Sequence, residues 1–91
     1  MRRSDLDHCR VCGFNYGQPW GPDGTDPTYE ICCCCGVEFG YEDCTAQSTK
    51  SYRAEWLAKG APWFMPPERP SDWDLAEQMK GVPEHFKEAP A

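Results

Sequence analysis

The chain has 91 residues and a mass of 10.4 kDa, room for one domain, residues 1–91, and no more. Nine Lys and Arg stand against fifteen Asp and Glu, a net charge of −6. That argues against nucleic acid and anionic membrane as partners, since both bind through cations that displace counterions. A mean hydropathy of −0.75, no apolar run near the roughly 18 residues of a membrane span and an opening without a leader's apolar stretch predict a soluble, cytoplasmic protein.

Seven cysteines are the compositional oddity. An odd count without an export signal makes a poor disulfide framework and points to metal. The first element is Cys9-Arg10-Val11-Cys12-Gly13-Phe14-Asn15-Tyr16-Gly17. It recurs, offset by 23, as Cys32-Cys33-Cys34-Cys35-Gly36-Val37-Glu38-Phe39-Gly40. The shared pattern is C-x-x-C-G-apolar-polar-aromatic-Gly. Two thiolates on one tight turn reach a single ion, and Gly after the second Cys supplies the positive φ that closes the turn. The expected ligands are therefore Cys9, Cys12, Cys32 and Cys35, holding one Zn2+ or, as the alternative, iron. Cys33, Cys34 and Cys44 remain as extras: redox-sensitive thiols, ligands of a second ion, or incidental small residues.

Between the two knuckles, residues 18–28 carry three prolines and two glycines and read as a turn-rich loop. Tyr29, Glu30 and Ile31 alternate as a strand would, with residues 14–16 as the expected partner. The predicted fold is a small α+β arrangement: a metal-bound zinc-ribbon or rubredoxin-like β-hairpin with two knuckles, residues 8–44, followed by two short helices. Residues 5–44 hold eight acids against Arg10 alone, a local charge of −7. Such a face suits a basic protein partner, or serves solubility alone. The residues expected to meet a partner are Trp20, Asp23, Asp26, Glu38, Glu42 and Asp43.

Residues 45–91 read as a helical half packed on the ribbon. Thr45 or Ser48 caps a helix running to about Lys59, with Gly60 past its end and Pro62 beyond. Tyr52 and Trp56 share a face that Leu57 widens. Residues 61–67 form an apolar connector. Ser71 to Asp74 resembles a capping box before a short helix ended by Gly81. Pro83 opens a last turn through Phe86, and residues 88–91 are expected to fray. With few aliphatic side chains, the twelve aromatics supply most of the core, and a chain this small leans on its metal. Trp20, Trp63 or Phe64 is a candidate for an exposed binding anchor.

Tyr29-Glu30-Ile31-Cys32-x-x-Cys35 followed by Tyr41-Glu42-Asp43 resembles the bacterial cysteine-rich CPCC family over about residues 8–60. The first knuckle departs from that pattern, lacking the proline and third cysteine that name the family. The resemblance implies a companion of a secreted bacterial toxin, a toxin-neutralising immunity-type protein. Cys-x-Val-Cys-Gly-Phe-x-Tyr is also similar to rubredoxin, which implies iron held by four thiolates and electron transfer. Rubredoxin has no counterpart of residues 45–91.

Catalysis is not expected. Four thiolates close a zinc site that a hydrolase would leave open. His8 can at most replace Cys9 as a ligand, and His85 has no acid-base partners in sequence. No phosphate loop or nucleophile elbow occurs. The sequence therefore reads as a non-enzymatic, metal-stapled protein-binding module.

Overall fold

The structure, a computed structural model, describes residues 3–87. Three α-helices, α1 (Arg3–Leu6), α2 (Ala46–Ala58) and α3 (Leu75–Met79), and two 3-10 turns, Pro66–Glu68 and Glu84–Phe86, are joined by irregular chain. The whole measures 32 × 31 × 21 Å.

The expected α+β fold with a zinc-ribbon or rubredoxin-like β-hairpin does not form. Among the described residues there is no β-strand, only two isolated antiparallel bridges, His8 to Asn15 and Ile31 to Glu38. Each Cys-x-x-Cys segment instead folds back on itself. In the first turn the amides of Cys9, Gly13 and Tyr16 donate to the carbonyls of Phe14 (2.8 Å), Cys9 (3.0 Å) and Asp7 (2.9 Å). In the second, each partner moved on by 23 residues, Cys32, Gly36 and Phe39 donate to Val37, Cys32 and Glu30, all at 2.9 Å. The sequence repeat is thus a backbone repeat, with Gly13 and Gly36 at φ +82° and +80°.

The arms end before a ladder can propagate. Gly17 and Gly40 turn the chain at φ +90° and +97°, and Tyr29 takes φ +61° where the expected strand should begin. Extended pairing needs consecutive residues with negative φ. The two arms predicted to pair, 14–16 and 29–31, meet through side chains instead, where Tyr16 Oη donates to Glu30 Oε1 at 2.9 Å; the Tyr16 ring also meets Phe39 of the second turn edge to face at 4.7 Å.

Helix α2 follows its sequence signals. Thr45 caps it, accepting from the Ser48 amide at 3.1 Å, while Ser48 Oγ returns the bond to the Thr45 amide. Lys59 and then Gly60, at φ +92°, end it. Its buried face differs from the expected one: Trp56 is buried and Tyr52 half-buried, but Leu57 is exposed and Arg53 fills the core position. Helix α3 starts at Asp74, which accepts from the Glu77 amide, rather than at Ser71, and is correspondingly short. Pro83 leads into the turn through Phe86. Residues 88–91, expected to fray, lie outside the described residues.

The core is a cluster of eleven buried residues, and five of them are cysteines: Cys9, Cys12, Cys32, Cys34 and Cys35. Val11, Val37, Phe39, Trp56, Ala61 and Trp63 complete it. Trp63 joins the first turn to the C-terminal half, with its ring edge to face with Phe14 at 5.8 Å and Trp73 at 5.4 Å.

Candidate metal centre

The two turns bring four thiols to one point. The sulfurs of Cys9, Cys12, Cys32 and Cys35 lie within 4.8 Å of one another, and all four residues are buried. Cys9 Sγ is 3.7 Å from Cys35 Sγ, and Cys12 Sγ is 3.7 Å from Cys32 Sγ. A tetrahedral ion bonded to sulfur at about 2.3 Å sets its ligands about 3.8 Å apart. Two of the sulfur pairs meet that spacing, and the four cysteines are close enough together to hold a metal ion.

Their electrostatics suit a cation. Burial, then hydrogen bonding among the neighbouring thiols, pushes the Cys12 thiol well above the ordinary range, and burial does the same for Cys35. Hydrogen bonds from Cys12, Cys35 and Cys9 hold Cys32 far below that range. A cation bound among these coupled thiols would stabilise all four as thiolates.

The C-terminal half grips both turns at matching carbonyls. In the first turn Arg53 Nη2 donates to the Arg10 carbonyl at 2.8 Å and Arg53 Nε to that of Val11. Gln78 Nε2 donates to Cys12 at 3.1 Å. The equivalent carbonyls of the second turn are Cys33, Cys34 and Cys35. They accept from the amides of Met65 and Phe64, both at 2.9 Å, and from Tyr52 Oη at 3.0 Å. Six carbonyls that the ligand turns leave unpaired are thus satisfied by six different donors. The turn glycines are covered as well. A Cβ on Gly13 would lie 2.2 Å from the Gln78 carbonyl oxygen, and one on Gly36 would press on the Phe64 ring.

Arg53 was not foreseen from the sequence, because an arginine in an amphipathic helix ordinarily reads as a solvent-exposed charge. It is 1% exposed, and Nη2 also reaches the Phe86 carbonyl at 2.7 Å.

The extra cysteines separate. Cys34 occupies the position of Val11 in the repeat and is as fully buried, with Gln78 Nε2 3.2 Å from its sulfur. Cys33 is half-buried, its thiol pushed up to about 11, chiefly by burial and then by Cys32 and Cys34. Cys44 is exposed and donates to the Gly40 carbonyl at 3.1 Å. His8 lies outside the four-sulfur group, packed against Gly81.

The six residues expected to meet a partner are not one surface. Asp43 is fully buried: its carboxylate accepts from Trp20 Nε1 at 2.8 Å and from the Gly40 amide at 2.8 Å. Trp20 is half-buried, its ring 3.8 Å from the Arg10 guanidinium carbon. Arg10 lies between that ring and Phe86 and donates to the carbonyls of Asp43 and Gly24. Asp43 and Trp20 therefore serve internal packing. Asp23 and Asp26 are exposed on the loop, and Glu38 and Glu42 are half-buried beside the second turn, where Glu42 Oε1 accepts from the Glu38 amide.

Among the described residues no helix is long and apolar enough to cross a membrane. Compared with protein-family models, curated proteins and solved structures, the chain matches none.

Proposed function

We propose that the chain is a non-enzymatic protein-binding module, stapled by one zinc ion on Cys9, Cys12, Cys32 and Cys35. The observation that carries this reading is the closed set of four buried thiols at the centre of the core. A hydrolytic zinc centre keeps a position for water, whereas four thiolates fill the tetrahedron and leave the ion a structural role. Zinc is the natural occupant of a site that contributes folding energy outright. The function then lies on the surface the ion holds in place. With −7 over residues 5–44, that surface favours a basic partner. One concrete form is neutralisation of a toxin whose basic, nucleic-acid-binding active site is blocked by an acidic inhibitor. The resemblance to the cysteine-rich bacterial family supports that form.

Metal analysis of the purified chain, joined to affinity capture from the native cell at low and high salt, is the test. One zinc per chain and a stoichiometric partner released by salt are expected. Red, iron-loaded protein with reversible redox behaviour would replace this reading with an electron carrier. Colourless zinc protein that captures nothing would leave a scaffold without the proposed role.

A further inference from the structure

We infer that the docking surface is the outer face of the second turn, residues 29–31 with 38–42, and that its occupant is an arginine-bearing segment of a basic protein. This rests on the protein-binding reading above and gives it a place and a chemistry.

Six large hydrophobic residues are exposed among those described, and three of them stand on this face: Tyr29 (65%), Ile31 (44%) and Tyr41 (72%). The bridge between Ile31 and Glu38 and the bond from the Phe39 amide to the Glu30 carbonyl lay the two arms side by side. The Tyr29 ring lies over Gly40, where an added Cβ would come 2.8 Å from the ring. The Tyr29 ring thus lies beside the residue that precedes Tyr41, and Ile31 stands on the paired arm.

The backbone does not need them. The first turn repeats three of these backbone hydrogen bonds, yet it carries Leu6, His8 and Gln18 where the second carries Tyr29, Ile31 and Tyr41. His8 is in contact with the last segment at Gly81. In the first copy these positions are half-buried at Leu6 and His8 and polar at the exposed Gln18, whereas the second presents apolar side chains to solvent at all three. Exposed apolar side chains grouped within a polar rim mark interaction sites.

The rim sets the sign of the partner. Glu30, Glu38 and Glu42 stand on the same two arms; Glu30 accepts from Tyr16 and Glu42 from the Glu38 amide, but none has an ion-pair partner among the described residues. From Val11 to Thr49 the chain holds no Lys, Arg or His at all. A tyrosine face beside carboxylates fits a guanidinium, which stacks on the ring and forks onto a carboxylate. Lysine offers a point charge to the same site and stacks less well.

The test is fluorescence anisotropy of the metal-loaded full chain with labelled nona-arginine, and with nona-lysine for comparison. Tighter binding of nona-arginine, weakened by salt, is expected. Tyr41→Ala and Ile31→Thr together should weaken it about tenfold. Leu57→Ala and Glu55→Gln, an exposed apolar and an exposed acidic residue on α2, should stay within about twofold. Equal losses in both sets would mean diffuse charge attraction and overturn the proposal, as would failure to bind nona-arginine. A dimer in sedimentation that Tyr41→Ala dissolves would assign the patch to a second copy of the chain and also overturn it. A zinc-loaded chain that captures its cellular partner equally well with Tyr41→Ala and Ile31→Thr would sink this surface while leaving the module standing.

Discussion

Arg53 is a buried charge that ties distant segments together. Its guanidinium joins two carbonyls of the first ligand turn to the last turn at Phe86. Replacing it with Met leaves those acceptors buried without donors, at about 1–3 kcal/mol for a lost buried partner. We expect Arg53→Met to lower stability by about 3 kcal/mol or more in urea denaturation of metal-loaded protein. Arg53→Lys should recover only part of that, because one ammonium cannot span three acceptors set for a fork. The repeat makes a finer prediction at Cys34. Its counterpart, Val11, is equally buried, so Cys34→Val should keep one metal per chain and change stability by less than about 1.5 kcal/mol. Cys9→Ser or Cys35→Ser should abolish stoichiometric metal, as read by elemental analysis. Acid acts in the same direction as those losses. Because burial raises the Cys12 and Cys35 thiols, metal binding must displace their protons. Apparent affinity should therefore rise with pH and fall steadily on acidification, as a competition assay with a chromogenic chelator would measure.

At the scale of elements, some signals were local and therefore readable. The Cys-x-x-Cys spacing and the Thr45 and Gly60 limits of α2 each depend on residues a few positions apart, and the 23-residue repeat shows the first of these twice. What the sequence did not disclose depends on distant partners. Asp43 and Trp20 look like a surface acid and a binding anchor until Arg10 is seen between the rings of Trp20 and Phe86. The alternation at residues 29–31 suggests a strand, and one backbone angle, φ +61° at Tyr29, ends it. Closely packed glycines give the sharpest test at this scale. Gly13→Ala forces a Cβ to 2.2 Å from the Gln78 carbonyl oxygen, whereas Gly17→Ala meets nothing within 4 Å. Both positions have positive φ, costing about 1–2 kcal/mol for alanine. Gly17→Ala should therefore fold with a modestly lower melting temperature, while Gly13→Ala should lose both the α3 contact and much of its metal affinity.

For the whole molecule, an ion bound by the four cysteines is expected to be coupled to the C-terminal half. The core surrounds the four ligand sulfurs, and α2, the connector and α3 all place donors on the ligand turns. Chelation should therefore not release the cysteine half alone. We expect a strong chelator to remove most of the helical circular-dichroism signal together with the metal, in one cooperative transition that added zinc reverses. Persistence of the α2 signal after complete metal removal would show that the helix stands on its own capping and packing.

The unlike donors on the two turns also impose an order on synthesis. The second turn receives Phe64 and Met65 from a segment about thirty residues downstream. The first must wait for Arg53, 42 residues beyond Val11, and for Gln78, 66 residues beyond Cys12. A growing chain has all four sulfurs available long before the last donor emerges, so an ion captured early would rest in a half-clasped site. Only when Gln78 has emerged does the Cys12 carbonyl of the first turn find its donor.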